Sequence, residues 1–280
     1  MLPEINIFGL ELPMFGIMIS IGVLCFTFLS IRLFRKAGAS EEKIDRLIIT
    51  VALAGGMFAL SAAFFDALWH NISEYKETGV FIWEWWGITY SGGLFGAIIA
   101  YLVAYFLIIR DERHNIFFYL DIVVLGLAIA HGFGRIGCFC GGCCYGKTVE
   151  PHTFLSIYYP INDARTIWEW VLPTQLYEAA FLFLFAGGLW FVKKNRSAWY
   201  LIGYNVFRFF LEYLRGDDRG ASPFGFLSPS QFLSIVMLLM GIALLIFRKD
   251  IENWLKKYNK VNPKLQVVNT NEEVNEEENA

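Results

Sequence analysis

Seven apolar stretches divide the chain, and this pattern is the strongest constraint on its fold. About 20 apolar residues are needed for a helix to cross the roughly 30 Å hydrocarbon core of a bilayer. Inside lipid, a helix satisfies its own backbone hydrogen bonds, which an open strand cannot do. Since 56% of the residues are hydrophobic and 18% are charged, we predict an all-α membrane protein, a polytopic bundle of about seven transmembrane helices. The stretches are residues 12–34, 47–69, 87–109, 116–134, 174–192, 198–215 and 229–247.

Basic residues are concentrated in alternate connections between these stretches. Most of the 23 Lys and Arg residues lie in the 32–46 loop, at 110–113, at 193–196 and beyond Phe247. Because translocation across a membrane disfavours Lys and Arg, these segments are expected on the cytoplasmic side. The sequence therefore predicts an external N-terminus and a cytoplasmic C-terminus.

The composition changes twice after the last apolar stretch. Residues 1–247 are predicted to form the seven-span membrane domain, and residues 248–263 a basic amphipathic segment on the cytoplasmic side. Residues 264–280 are rich in Asn and Glu with little apolar content, which predicts an acidic disordered tail. The net charge of −3 averages these regions, and no nucleic-acid partner is expected. The longest external insertion, residues 148–172, is a candidate lid over a substrate site.

Charged residues interrupt the sixth apolar stretch. Arg208, Glu212 and Arg215 are spaced i, i+4 and i+7, which places them on one face of a helix. A charged side chain at bilayer depth costs roughly 2.5 to 3.5 kcal/mol on insertion scales. This face is therefore expected to line a polar cavity enclosed by protein. The alternative interpretation is an ion pair that only ties helices together, or a helix end where Arg215 reaches the interface.

A second unusual segment, His131 to Lys147, is dense in glycine and cysteine. Glycines let the backbone approach a ligand closely, and their N–H groups, with Arg135 and Lys147, could surround an anion. Small residues also serve tight helix packing in membranes, so both interpretations stand. The segment is expected at the outer face.

The cysteine spacing in this segment, C-x-C-x-x-C-C, is not the paired C-x-x-C of a structural zinc site, so no metal is expected. An external location favours disulfides or small-residue packing. We predict at least one disulfide, joining Cys138 or Cys140 to Cys143 or Cys144.

Four segments, in order, resemble the prolipoprotein diacylglyceryl transferases, a family of seven-helix bacterial membrane enzymes. Ser91-Gly92-Gly93-Leu94 stands where the family has His-Gly-Gly-Leu, and Gly134-Arg135-Ile136-Gly137 is followed by the matching Phe139 and Gly146. Pro173 to Glu178 is similar to the family's His-Pro-x-x-Leu-Tyr-Glu. Arg208 to Arg215 is similar to its Arg-x-x-x-Glu-x-x-Arg helix. Each match alone is weak, but together they span nearly the whole chain.

The resemblance implies transfer of the diacylglyceryl group of phosphatidylglycerol to the lipobox cysteine in the signal peptide of a prolipoprotein. A thioether forms and glycerol phosphate leaves. The implied partners are phosphatidylglycerol, the prolipoprotein and the lipid bilayer, with no cofactor. The implied catalytic residues are Arg135, Arg208 and Glu212. The implied substrate-binding residues are Ser91, Gly92, Gly93, Gly134, Gly137, Gly146, Tyr177, Glu178 and Arg215.

The chain departs from the family pattern at several polar positions. Cys138, Gly141 and Cys143 stand at the places of an Asn, an Asn and a Glu, while Ser91 and Leu172 replace histidines. One hypothesis is a divergent transferase in which His131 or Glu212 acts as the base. Another is a relative with altered chemistry that binds lipid or uses its four clustered cysteines in thiol redox reactions. A channel or transporter is the third, because polar residues in spanning helices also mark conduction paths.

Overall fold

The computed structural model describes residues 4–7, 10–81, 83, 90–109, 113–161, 165–216 and 227–261. The tail predicted to be disordered, 264–280, lies outside this part of the chain. Seven α-helices, four short strands and two 3₁₀ turns are seen in the described residues. The helices are α1 Met14–Lys36, α2 Glu41–Thr78, α3 Tyr90–Ile108, α4 Ile116–Gly141, α5 Thr174–Phe191, α6 Arg196–Leu211 and α7 Pro229–Val261. The strands are β1 Glu4–Ile7, β2 Leu10–Pro13, β3 Ile157–Pro160 and β4 Trp168–Val171, and the 3₁₀ turns are Arg113–Asn115 and Glu212–Leu214.

Among the described residues, four helical stretches are long and apolar enough to cross a membrane. They are α1, residues 41–72 of α2, the whole of α4, and residues 230–258 of α7, while α3 contributes a shorter apolar stretch at 95–108. Large apolar side chains on these helices have no protein cover: Leu24 and Phe28 of α1 are 69% and 67% exposed. Such surfaces are stable when lipid covers them. The prediction of a helical membrane protein is therefore confirmed.

The chain forms two compact units. The first comprises residues 1–33 and 116–252, and the second residues 34–115 and 253–280. In the second unit α2 and α3 pack closely, because a Cβ added at Gly93 would lie 2.8 Å from the Phe58 ring and 3.0 Å from Ala62 Cβ. Small residues at such a crossing allow two helices to come together in lipid.

Helix α4 is the centre of the first unit. In this helix 61% of the apolar span is buried, against 11% for α1. Its core contacts come from α5 and α6 and are apolar apart from one tyrosine hydroxyl. The cluster consists of Val124, Leu125, Ala128, Leu182, Ala186, Leu189 and Tyr200.

Helix α4 is longer than predicted, ending at Gly141 rather than near residue 134. Its C-terminal half therefore includes much of the glycine-rich segment, and the N–H groups there are used within the helix. Gly132 packs against Phe183, and Gly137 against Phe15 and Met18. Helix packing is thus seen at Gly132 and Gly137, and the interpretation of the segment as an anion cradle stays a prediction.

Asp121 closes the opposite end of the first unit. Its carboxylate accepts hydrogen bonds from the backbone N–H groups of Asn195 and Ser197, at 3.0 and 2.9 Å, at the start of α6. Arg248 of α7 donates to the same carboxylate at 2.7 Å. A negative charge is favourable at a helix N-terminus. This buried aspartate thus holds α4, α6 and α7 together, and α7 continues unbroken through the predicted boundary at residue 247.

Residues 148–172, the insertion predicted to be external, contain an antiparallel pair of strands. Strands β3 and β4 pair with Tyr159 opposite Glu169. The buried Tyr159 hydroxyl donates to the Phe139 carbonyl at 2.7 Å, which fixes the hairpin at the end of α4. Burial raises the pKa of this phenol, which keeps the donor protonated.

Gly146 lies where three backbone segments meet. Its N–H donates to the Leu172 carbonyl at 2.8 Å, and Lys147 N–H donates to the Leu214 carbonyl at 2.8 Å. A Cβ at Gly146 would lie 2.6 and 2.7 Å from those two carbonyl oxygens. Both are backbone atoms, so a side chain here requires the backbone to move.

Gly146→Ala is therefore expected to destabilise the protein by about 2 kcal/mol, by overpacking. The thermal unfolding temperature in detergent should fall, and it can be followed by intrinsic tryptophan fluorescence. Gly134→Ala is the control, because a Cβ there meets no atom within 4 Å. Equal unfolding temperatures for the two variants would contradict this description of the junction.

Candidate active site

A buried ion pair joins α4 to α5. Arg135 Nε lies 3.0 Å from Glu178 Oε1, and the Glu178 side chain is fully buried. The Tyr204 hydroxyl of α6 donates to the same carboxylate oxygen at 2.7 Å. Glu178 Oε2 has no hydrogen-bond partner among the described residues. A buried carboxylate is tolerated only with compensation of this kind, so Glu178 holds Arg135 in place.

The charged face of α6 forms a second cluster. Arg208 Nη1 lies 2.6 Å from Glu212 Oε2, and Arg215 Nε lies 4.0 Å from the same oxygen. The Ser228 hydroxyl donates to the other Glu212 oxygen at 2.8 Å. The α-helix ends at Leu211, and the 3₁₀ turn at 212–214 keeps Glu212 beside both guanidinium groups.

The two clusters belong to one charged region. Arg208 is close enough to Glu178 to interact with it electrostatically, in addition to its pairing with Glu212. Three guanidinium groups therefore share two carboxylates in this buried region of the described chain. The arrangement leaves an excess of positive charge, which suits an anionic ligand such as a phosphate.

His131, the predicted base, lies one turn before Arg135 on α4 among aromatic side chains. Its Nδ1 is 3.2 Å from the Tyr200 hydroxyl, and its Nε2 is 3.5 Å from the Tyr204 hydroxyl. Its Nε2 is also 3.8 Å from Glu178 Oε1. The ring is thus enclosed by two phenols and one carboxylate.

The tyrosines were not predicted from the sequence, although a signal for them existed. Tyr200, Tyr204, Arg208 and Glu212 follow one another at intervals of four residues. This spacing places all four on one face of α6. Following the four-residue spacing of the charged residues toward the N-terminus of α6 would have identified both tyrosines.

Three cysteine side chains meet at the end of α4. The Sγ atoms of Cys138, Cys143 and Cys144 all lie within 4.8 Å of one another. Cys140 is not a member of this group. None of the cysteines in the described part of the chain is assigned to a disulfide, and the disulfide expected from the sequence stays a prediction.

The other predicted residues have separate places. Ser91, Gly92 and Gly93 lie at the start of α3, in the second unit. The Tyr177 hydroxyl donates to the Leu155 carbonyl at 2.5 Å and so holds the 148–172 insertion. Gly146 has the structural role described above. The structure therefore gathers Arg135, Glu178, Arg208, Glu212 and Arg215 with His131 in one region, and gives Tyr177 and Gly146 scaffold contacts.

The fold and the charged cluster define a helical membrane protein with ionisable residues buried among its helices, a feature that marks a candidate functional site. Comparison with known sequences identifies the family of this chain. The chain belongs to the prolipoprotein diacylglyceryl transferase family, whose model matches residues 4–247. This confirms the resemblance seen in the sequence motifs.

Individual relatives agree with the family assignment. Phosphatidylglycerol–prolipoprotein diacylglyceryl transferase 2 of Clostridium perfringens is 33% identical over 247 residues, covering 85% of this chain and 92% of the relative. The enzyme of Clostridium tetani is 33% identical over 244 residues, with 85% and 93% covered. That of Acinetobacter baumannii strain ATCC 17978 is 28% identical over 265 residues, with 89% and 94% covered.

Proposed function

We propose that this protein transfers the diacylglyceryl group of phosphatidylglycerol to the lipobox cysteine thiol of prolipoproteins. The observation that carries the proposal is the cluster of the buried Arg208 and Arg215 with the largely buried Arg135 in a chain of this family. The names of the relatives give the same two substrates. The protein would act as a multi-pass enzyme in the bacterial plasma membrane.

The reaction replaces a C–O bond by a C–S bond, and the thiol proton passes to a base. The thiol sulfur attacks the glycerol carbon that carries the phosphate, a C–S bond forms, and the C–O bond to the phosphate breaks. The departing glycerol phosphate gains negative charge, which Arg135 and Arg208 are placed to stabilise. A guanidinium presents two parallel N–H donors to phosphate oxygens, and the low dielectric of a buried site strengthens the attraction.

The carboxylates orient the arginines. Glu178 positions Arg135, and Glu212 positions Arg208 and Arg215. Glu212 is poorly suited to be the base, because its oxygens already accept hydrogen bonds from Arg208 and Ser228. His131 remains the candidate for a proton acceptor, beside Glu178.

Seven spans with an external N-terminus fit this assignment. Basic residues from α7 and from the α5–α6 connection line a cleft of about 610 Å³ at the Asp121 end of the first unit. The arginine cluster and the cysteines lie toward the other end of α4. Because basic ends face the cytoplasm, the reacting groups lie toward the outer leaflet, where secreted precursors arrive.

Complementation tests the function directly. The chain is expressed in a bacterium depleted of its own transferase, and a lipobox reporter is analysed by mass spectrometry. We expect the diacylglyceryl thioether to reappear on the reporter. Unmodified precursor in cells whose membranes contain the folded protein would favour the lipid-binding alternative instead.

A further inference from the structure

The cysteine cluster owes its geometry to the way α4 ends. Gly142 adopts a left-handed conformation with φ of 89°, directly after the last helical residue. The N–H groups of Gly142 and Cys143 both donate to the Cys138 carbonyl, at 3.1 and 3.2 Å. This helix-ending turn folds the chain back over the last helical turn. The Cys143 side chain therefore lies close to that of Cys138, five residues earlier in the chain.

The next residue is held in place by α5. The Thr174 hydroxyl donates to the Cys144 carbonyl at 2.9 Å, and Gln175 Nε2 donates to the Cys143 carbonyl at 2.6 Å. Both donors belong to buried residues. Cys144 has a φ of 67°, a conformation that a side chain other than glycine rarely adopts without such support. The backbone is thus fixed so that three thiols converge.

We propose that Cys138, Cys143 and Cys144 bind a zinc ion through three thiolates. Zinc–sulfur bonds are about 2.3 Å long, and a tetrahedral site separates its sulfurs by about 3.8 Å. The three Sγ atoms already lie within 4.8 Å of one another, so small rotations of the side chains complete the site. The sequence spacing gave no sign of it, because the turn, rather than a C-x-x-C pair, brings the ligands together.

The surrounding charges suit this ion with these ligands. Zinc with three thiolates carries a net charge of −1, which calls for a positive neighbour in a membrane protein. Arg215 is close enough to the Cys144 thiol to interact with it electrostatically. Arg135 is close enough to Cys138 and Cys144 to interact electrostatically with both. The same arginines that would bind the phosphate therefore lie beside the zinc site.

Three protein ligands leave a fourth tetrahedral position open, which is typical of catalytic zinc. Cys143 is exposed, so this position can be reached from outside the helix bundle. Resting on the proposed transferase function, we assign the position to the precursor's lipobox thiol. Among the described residues of the site, the candidate base His131 is enclosed by two tyrosines and Glu178. Zinc would activate the thiol in its place, with water taking the proton.

Transfer of the diacylglyceryl group to the zinc-bound thiolate needs no oxidant or reductant. The precursor thiol binds zinc as a thiolate and its proton passes to water. The sulfur then forms the C–S bond while the C–O bond breaks, and both electrons of the broken bond leave with the phosphate. The thioether product is a weaker zinc ligand and dissociates.

Metal content tests the site without any assay of activity. The full chain is purified in detergent under reducing conditions, and zinc is measured by inductively coupled plasma mass spectrometry. About one zinc per chain is expected. Cobalt in its place should give the absorption bands of thiolate-to-cobalt charge transfer. Chains that bind neither added zinc nor added cobalt would overturn the proposal, as would a disulfide between two of the three cysteines in native membranes.

Single substitutions separate the ligands from their neighbours. Cys138→Ser, Cys143→Ser and Cys144→Ser should each lower zinc occupancy and the cobalt bands. Cys140→Ser is the matched control, because it lies in the same segment outside the cluster and should keep both. If the zinc occupancy were unchanged in all three cluster variants, the metal would lie elsewhere and the assignment would be refuted.

Binding of the substrate thiol at the fourth coordination position can be measured separately. A lipobox peptide added to the cobalt-loaded protein should shift the cobalt spectrum, whereas the same peptide with serine for cysteine should not. If the thiol peptide left the cobalt spectrum unchanged, the substrate thiol would not be a ligand of the metal. Stoichiometric zinc in a protein without transfer activity would refute the proposed transferase function but support the zinc site. Full transfer activity after complete removal of zinc would refute the catalytic role of the ion.

Discussion

Arg208→Lys is expected to reduce diacylglyceryl transfer about 10²- to 10³-fold, although it keeps the positive charge. Arg208 is almost fully buried and paired with Glu212 at 2.6 Å. A lysine ammonium is a single point of charge and cannot reproduce two parallel hydrogen bonds to a phosphate while also holding Glu212. The rate is measured in membranes with a lipobox reporter and phosphatidylglycerol.

The matched control for this variant is Arg32→Lys on α1, where the side chain is exposed. It should leave the rate of transfer unchanged. Turnover of Arg208→Lys close to that of the unsubstituted protein would show that only net charge matters. Phosphate binding by a guanidinium fork would then no longer explain the cluster.

Glu178→Gln should impair both stability and activity. The substitution keeps the shape of the side chain but removes the negative charge that compensates Arg135, leaving a buried guanidinium unpaired. Breaking a buried ion pair in this way costs about 3 kcal/mol or more. The unfolding temperature in detergent and the rate of transfer should both fall. Tyr204→Phe, which removes only the hydroxyl donor to Glu178, should cost about 1 kcal/mol.

A double variant separates the two roles of Arg135. Removing both charges, in Arg135→Gln with Glu178→Gln, leaves no unpaired buried charge from this pair. Stability should therefore recover relative to Glu178→Gln alone, while activity stays low. Recovery of transfer together with stability would mean that the pair is only a structural link between α4 and α5.

The sequence predicted the helical membrane class because apolar stretches of sufficient length have few alternatives in water or lipid. It also placed Arg208, Glu212 and Arg215 on one face, since that follows from helical spacing alone. The partnership of Arg135 with Glu178 depends on how α4 packs against α5, which no local pattern encodes. Family motifs identified Arg135 and Glu178 separately, but not their pairing.

The end of α4 was predicted less well, and for physical reasons. The predicted apolar stretch ended at residue 134, and glycine lowers helix propensity in water, so the continuation of the helix to Gly141 was not predicted. In a membrane protein the same glycines allow close packing, here against Phe183 and Phe15. The cysteine cluster depends on the left-handed turn at Gly142. The expected disulfide followed from the external location predicted for the segment, and it stays a prediction.

Transfer by the purified protein is the most direct test of the central claim. The full chain, reconstituted with phosphatidylglycerol, is mixed with a lipobox peptide, and the products are analysed by mass spectrometry. We expect a peptide heavier by one diacylglyceryl group, joined through its cysteine sulfur, together with an equal amount of glycerol phosphate. Folded protein that forms neither product from these two substrates would contradict the assignment of this arginine cluster to phosphate departure.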